Sequence, residues 1–362
     1  MTVRITGVTA TIVSVLRIVA LHTAYGSRDD ATTVLVQLAT DAGHVGLGQV
    51  PVDPPYRGAA GIKANIDAYL APVVVGQSPL AITALVGAME RTLPGQPLAV
   101  AAVELALWDA KGKALGVPVF ELLGGRVRDG LSLMAMVQGA TPDALAAATR
   151  EALGAAPYPV LKLKIGLGAT DDLRRYRAVR DAAGDRAVIQ VDANAGYTLA
   201  EAIPALGAMA DAGGLGMIEQ PVARLDDLAA LAAHSRVPIM ADESLGSPAD
   251  MLRIVERRAA HAGFLKIGKV GGLLAAQQIA HIAAVAGMPL SVAVYYDVLA
   301  AVAAHAAAAF PAVTWPSFVT RLPDTLLAAS LQPDGLALRV PQGPGWGIAL
   351  DPDKVRHYTV AH

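Results

Sequence analysis

Pro159-Val160-Leu161-Lys162-Leu163-Lys164-Ile165 is an apolar run interrupted by two lysines two positions apart. Four more runs of the same kind follow. Residues 187–191 lead to Asp192-Ala193-Asn194, 215–218 to Glu219-Gln220-Pro221, and 237–241 to Asp242-Glu243-Ser244, while 263–267 carries Lys266-Ile267-Gly268-Lys269 at its end. The key residues are spaced by 28, 27, 23 and 24 positions (164 to 192, 192 to 219, 219 to 242, 242 to 266). A β/α unit needs about that length, because the crossover back to a parallel strand takes a dozen or more residues and is usually a helix. A charged residue at the end of each successive parallel strand describes the mouth of a barrel, where residues distant in sequence converge.

The alternation extends on both sides of these runs. Candidate strands are 131–136, 160–165, 187–191, 215–218, 237–241, 263–267, 289–292 and 312–315, with helical patterns at 171–183, 199–212, 225–233, 249–258, 272–286 and 297–308. Alternating β and α elements imply a parallel sheet, and eight units fit a closed barrel. Residues 3–50 read instead as an antiparallel meander, with a turn at Asp41-Ala42-Gly43-His44. Helices are expected at 59–70 and at 98–115, the latter ending near Gly116 with Pro118 just beyond. The tail shows short strand signals at 335–340 and 347–350 around Pro341-Gln342-Gly343-Pro344-Gly345, and is expected to return to the first region.

Composition narrows the function. The chain has 362 residues, 54% of them hydrophobic and 17% charged, so a large buried core is expected. The net charge is −2 with no basic block, which argues against a nucleic-acid or membrane-surface partner. With no cysteine, any metal is held by oxygen or imidazole. Residues 5–16 read as a strand rather than an export signal, and the Ala-rich run 298–309 is too short to span a bilayer and contains His305. A soluble cytoplasmic protein is the expectation.

Asp192, Glu219 and Asp242 would place three carboxylates together at consecutive strand ends, where their charges repel. A divalent cation resolves the repulsion, and all-oxygen ligation suits Mg²⁺ or Mn²⁺. Lys162 and Lys164 share one face of their strand, since a strand alternates its side chains. A second ammonium and a metal nearby disfavour the charged form of Lys164 and make it a competent base. Lys266 lies four strands on, across the barrel. A carboxylate substrate on the metal has an acidified α-proton, and its removal gives a stabilised enediolate. Lysines on opposite faces permit deprotonation on one side and protonation on the other, which inverts a stereocentre.

These motifs, in this order, resemble the muconate-lactonizing (mandelate racemase/muconate lactonizing enzyme-like) subgroup of the enolase superfamily. Gly271-Gly272 after Lys266 belongs to the same pattern. So do Ala106-Leu107-Trp108-Asp109 and Leu122-Leu123-Gly124-Gly125, which look like the end of that family's capping domain. The resemblance covers nearly the whole chain. It implies a modified TIM barrel, (β/α)7β, of residues 126–320, under an α+β capping domain built from 1–125 and the returning tail 321–362. It implies Mg²⁺ on Asp192, Glu219 and Asp242, Lys164 and Lys266 as acid/base residues, and Asn194 and Glu243, with Lys162, in support. A homo-oligomer is also expected.

The subgroup contains cycloisomerases, racemases, epimerases and a dehydrating synthase, and the shared machinery does not separate them. Specificity is expected from the cap, at His22 to Tyr25 and Val50 to Tyr56, and from the last strand ends. Thr314-Trp315-Pro316-Ser317-Phe318 contains no acid, which disfavours a dipeptide epimerase and weighs against a muconate cycloisomerase. Tyr56, Tyr295, Tyr296, Asp297 and Trp315 form a candidate aromatic and acidic receptor for a cationic group. The expected reaction is therefore racemisation or epimerisation of an N-substituted or cyclic amino-acid carboxylate. A lactonizing cycloisomerase and a catalytically silent binding protein on the same fold are the alternatives.

Overall fold

A computed structural model describes residues 3–23, 26–52, 58–320 and 322–360. The first region is the expected meander. β1 (Ile5–Thr23) and β2 (Gly26–Thr40) form a long antiparallel hairpin, and β3 (Val45–Pro51) pairs with β2. Its sheet packs on the helix Pro97–Leu115, which is buried on nearly every side and ends at Gly116 in the left-handed conformation. The packing is backbone to backbone. A Cβ at Gly46 would stand 2.1 Å from the Ala106 carbonyl oxygen, and one at Gly48 2.0 Å from that of Ala102. The expected helix at 59–70 begins as Ala59–Asn65, passes through a π-helical turn at Ile66–Leu70 and continues as Ala71–Val74.

The barrel wall is a parallel sheet. Its strands are β5 (Ala135–Val137), β6 (Val160–Lys164), β7 (Val188–Asp192), β8 (Leu215–Glu219), β9 (Ile239–Ala241), β10 (Ala262–Leu265) and β11 (Leu290–Val292), in simple sequential order. The run 131–136 is not one strand. Its first part, β4 (Gly130–Ser132), pairs antiparallel with β12 (Ala337–Arg339) from the tail, and only β5 joins the wall. The run 312–315 is not a regular strand. Pro311 and Pro316 flank it and cannot donate to a ladder, so residues 313–319 close the barrel through single bridges. Val313 and Val319 meet Leu290 and Val294 on one side, and Ser317 meets Leu133 on the other. The wall therefore has eight staves, the last of them irregular. The expected strand at 347–350 is likewise only a bridge between Leu350 and Leu327.

The period-2 alternation divides the apolar residues into two populations. Outward-facing residues such as Leu161, Leu163, Ile189, Val191 and Ile218 join one large core with the surrounding helices and the cap. Inward-facing Met217, Met240, Ala262 and Phe264 form a separate small cluster inside the barrel, with Ala293 and Trp315 packed against it. Among the described residues no helix is long and apolar enough to cross a membrane.

The tail is threaded between cap and barrel. The buried Asp109 carboxylate accepts the Leu47 and Trp346 amides at 2.7 Å each, and the Trp346 indole donates to the Leu47 carbonyl at 2.7 Å. His305, in the wholly buried helix Val298–Ala309, accepts the Phe120 amide on Nδ1 at 3.1 Å and bonds the Trp346 carbonyl through Nε2 at 3.2 Å. These two bonds select the neutral Nε2–H tautomer, and burial lowers the imidazole to about 4.

Candidate functional site

Sheet register alone brings three of the expected residues into one row. Lys164 pairs with Asp192 and Asp192 with Glu219 across β6, β7 and β8. Glu219 pairs with Met240, so Asp242, two residues on, faces the same interior one step higher. Lys266 follows β10 with the inward parity of Phe264. β10 is four staves from β6 in a wall of eight, so Lys164 and Lys266 stand across the barrel from each other.

The carboxylates and ammonium groups interlock. Lys162, 1% exposed, donates to Glu219 Oε1 and Oε2 at 2.8 and 2.7 Å and lies 2.9 Å from Asp192 Oδ2. Lys164 reaches the same Asp192 Oδ2 at 2.6 Å and donates to Asn194 Oδ1 at 2.9 Å. Lys266 lies 2.5 Å from Asp242 Oδ2, and Lys269 bonds Asp242 Oδ1 at 3.0 Å and the Asp242 carbonyl. Asn194 Nδ2 donates to Glu243 Oε1 at 3.1 Å, which ties the Lys164 side to the Asp242 loop.

Burial and neighbours set the charges. Burial opposes ionisation of Asp192, but Lys162 and Lys164 outweigh it and hold the carboxyl well below its ordinary range. Asp242 is lowered in the same way by Lys266 and Lys269 against its burial. Burial would lower Lys162, yet Asp192 and Glu219 raise it above an ordinary lysine, so it is a permanent cation. Glu219 goes the other way, despite its two bonds to Lys162. Burial first, and then the Asp192 charge, push it up to about 8. Burial and the adjacent Asp242 charge also raise Glu243.

Several residues in the site carry no role in the sequence reading. Gln190 shares its strand face with Asp192, bonds the Glu219 carboxylate and accepts the Trp315 indole N–H at 2.6 Å. Gln220, at φ 33, accepts the amides of Asp242 and Ser244 at 2.8 and 3.1 Å and donates to the Ser244 hydroxyl at 2.7 Å. That stitches the β8 end to the Asp242 loop. The ring centroids of Phe264 and Phe318 lie 4.7 and 5.2 Å from the Lys162 ammonium, both within cation–π range. The two-residue alternation that pairs Lys162 with Lys164 also pairs Gln190 with Asp192, so this residue is marked in the sequence. No sequence signal marks Phe318.

The N-terminal model of the mandelate racemase / muconate lactonizing enzyme family matches residues 7–124, and the enolase C-terminal domain-like model matches 144–354. The chain belongs to that family. It is thereby an isomerase of the enolase superfamily. It is 35% identical to muconate cycloisomerase 1-1 of Acinetobacter lwoffii, over 94% of this chain and 91% of the relative. It is 30% identical to the N-succinyl-L-Arg/Lys racemase of Bacillus cereus, over 93% of both. The solved structure of that racemase superimposes with a TM-score of 0.93 at 28% identity, covering 99% and 98% of the two chains. The muconate lactonizing enzyme of Pseudomonas fluorescens, complexed with muconolactone, gives 0.92 at 30% identity, covering 99% and 100%.

Family membership generally implies a divalent metal, and the residues here can be tested against one. In the present arrangement lysine ammonium groups stand on the carboxylate oxygens. Among the described residues no three carboxyl or imidazole groups are spaced to enclose an ion as they stand. The donor chemistry nonetheless fits. Asp192, Glu219 and Asp242 are buried oxygen donors on adjacent strand ends, all 0% exposed.

The described members of the expected receptor, Tyr295, Tyr296, Asp297 and Trp315, lie at and just beyond the last two staves. The Trp315 ring packs inside the barrel, and its N–H is committed to Gln190. Asp297, the φ 54 residue that precedes helix Val298–Ala309, gives Oδ1 to the Thr325 hydroxyl at 2.6 Å and the Leu326 amide at 2.9 Å. Its Oδ2 is buried with no hydrogen-bond partner among the described residues. Tyr296 is buried at 6% exposure, edge-on to Tyr295. Of the cap candidates, Tyr25 and Tyr56 lie outside the described residues.

Proposed function

We propose that this chain is a Mg²⁺- or Mn²⁺-dependent racemase or epimerase acting at the α-carbon of an N-substituted or cyclic amino-acid carboxylate. The placement of Lys164 and Lys266 on staves four apart, with the carboxylate row between them, carries the reading. Asp192, Glu219 and Asp242 would hold the dication, which when bound draws charge from the substrate carboxylate and acidifies the α-proton. Lys164 serves one face of the α-carbon and Lys266 the other, as base and acid in turn. Lys162, clamped on Glu219 and Asp192, keeps its proton and holds the carboxylate row in shape. Asn194 orients the Lys164 ammonium and, through Glu243, keeps it in step with the opposite side.

Four ammonium groups, of Lys162, Lys164, Lys266 and Lys269, face four carboxyl groups, of Asp192, Glu219, Asp242 and Glu243. A bound dication leaves that set net positive, which suits an anionic substrate. The likeness to an N-succinyl amino-acid racemase supports an N-acyl amino acid. The likeness to muconate cycloisomerases favours one second reading, lactonization of an unsaturated dicarboxylate.

The decisive assay incubates the enzyme and Mg²⁺ in D₂O with N-acyl and cyclic amino acids of both configurations and follows the α-proton by NMR. Metal-dependent exchange with inversion is expected. Ultraviolet-detected lactone formation from muconate, with no exchange on any amino-acid derivative, would replace the racemase reading with the cycloisomerase one. Inactivity in both assays would leave a binding protein.

A further inference from the structure

Lys266 stands at the start of a tight loop, and the end of that loop is held by the other domain. Within the loop the Val270 amide bonds the Lys266 carbonyl at 3.1 Å, and the Gly272 amide bonds that of Ile267 at 3.0 Å. Helix Leu273–Val285 begins directly after Gly272. Its first two amides, of Leu273 and Leu274, donate at 2.9 and 2.8 Å to the carboxylate of Glu104, on the cap helix Pro97–Leu115. The Trp108 indole donates to Glu104 Oε1 at 2.6 Å and fixes the carboxylate from its own helix. Glu104 is 0% exposed. Burial raises its carboxyl to about 7, while the Leu273 and Leu274 amides and the Trp108 indole favour the ionised form that accepts all three bonds.

The fit leaves no slack. Gly272 has φ +125, and a Cβ there would lie 2.5 Å from Glu104 Oε2. Midway along the loop, Gly268 faces Leu98, Val50 and Pro51 of the cap at 3.5 to 3.6 Å from its ideal Cβ position. The Lys266 loop thus rests on the cap along its length and is tied to it at its end.

We infer that Glu104, a cap residue with no contact to the reacting groups, is a positioning residue for Lys266: its bonds to Leu273 and Leu274 fix the loop that aims that lysine, and so tie one of the two proton-transfer faces to the docked cap. The functional half of this inference rests on the two-lysine reading above. Glu104→Gln tests it with little change of volume. One amide oxygen can still accept, but the new NH₂ then meets a backbone N–H that has lost its acceptor. Gly272→Ala attacks the same contact from the loop side.

Two measurements separate the possibilities. In D₂O, α-proton exchange is followed from each antipode of the substrate, the antipodes being assigned to their lysines with Lys164→Ala and Lys266→Ala. Glu104→Gln is expected to slow exchange of the Lys266-facing antipode on the order of tenfold, as small misplacements of a proton-transfer group do, and to leave the Lys164-facing antipode within about twofold of wild type. A uniform fall on both faces would reveal a merely structural residue and overturn the inference. The second measurement is amide hydrogen exchange by mass spectrometry over 266–274, which needs no substrate. Faster exchange there in Glu104→Gln is expected, and unchanged protection overturns the latch. If wild-type enzyme exchanges no α-proton from any carboxylate, the racemase reading fails on its own, and the protection measurement still decides whether Glu104 holds the loop.

Discussion

Two buried carboxylates hold the loops behind the two lysines, and they belong to different parts of the molecule. Asp172 accepts the amides of Gly166, Leu167 and Gly168 at 2.9, 3.0 and 3.1 Å and the Tyr197 hydroxyl at 2.6 Å. It secures the loop after Lys164 from within the barrel, on the helix that follows. Glu104 secures the loop after Lys266 from the cap. The lysine side chains themselves are alike in exposure, 16% and 18%. One is the last residue of a strand and sits in register with Asp192, whereas the other lies beyond its strand end, in a turn. Half of the site is thus preorganised by local sheet geometry, and the other half by domain docking.

The hardest test of this contrast removes the lysines. Lys164→Ala and Lys266→Ala should each lower net inversion by about 10³-fold, in the range of lost general acid–base catalysis. Each should keep α-proton exchange with retention on the face of the surviving lysine. If either variant abolishes exchange from both antipodes, the division into two faces is wrong.

A stability measurement probes the shared floor beneath both halves. Lys162→Met leaves Asp192 and Glu219 buried without their common cation, and a loss of about 3–5 kcal/mol is expected from denaturant unfolding in the presence of a chelator. Mg²⁺ should return more stability to the variant than to wild type, because the ion takes over the missing charge. Equal stabilisation of both proteins would argue against metal binding at this carboxylate row.

Acid should act on the docked half through His305, which bonds both Phe120 and the tail. Its folded value of about 4 lies below the ordinary 6.5. Above pH 6.5 it is neutral in both states and costs nothing. As pH falls from 6.5 towards 4 the unfolded chain takes up a proton that the folded protein refuses, and about 3 kcal/mol of stability is lost. His305→Asn, whose amide can accept from one neighbour and donate to the other, should flatten that part of the profile. Urea unfolding at pH 7 and pH 4.5 gives the comparison.

The smallest expected effect mirrors the Glu104 experiment. Asp172→Asn weakens charge-assisted bonds worth about 2 kcal/mol together. It should slow exchange at the Lys164 face roughly tenfold, by the same misplacement argument, while sparing the Lys266 face. Opposite biases from Asp172→Asn and Glu104→Gln would establish that each loop is served by its own clamp.

Six of the seven interstrand helices among the described residues, and the wall strands 160–165 through 289–292, were legible to within a few residues, because apolar periodicity and β/α spacing are written locally; the helix Pro142–Ala155, between β5 and β6, was not among those expected. The carboxylate row was legible for the same reason, since parity along a strand survives folding. The ends of the barrel were not. Pro311 and Pro316 disrupt the last stave, and the first strand divides because the tail captures half of it. The aromatic receptor around Trp315 rests on that ring's place at the last strand end beneath the cap; Tyr56 lies outside the described residues, and the Trp315 ring itself packs inside the barrel, where Gln190 takes its N–H.

By itself the sequence determined the barrel, the row of Lys164, Asp192 and Glu219, and the opposition of Lys266. Each depends only on a two-residue alternation and on counting strands. Tertiary structure decided how those groups are held. The Glu104–Leu273 bond joins residues 169 positions apart, the Trp346–Leu47 bond residues 299 apart, and the Trp315–Gln190 bond residues 125 apart. No periodicity encodes such contacts. They exist because burying the cap and tail on the barrel leaves polar groups that must find partners wherever packing has put them.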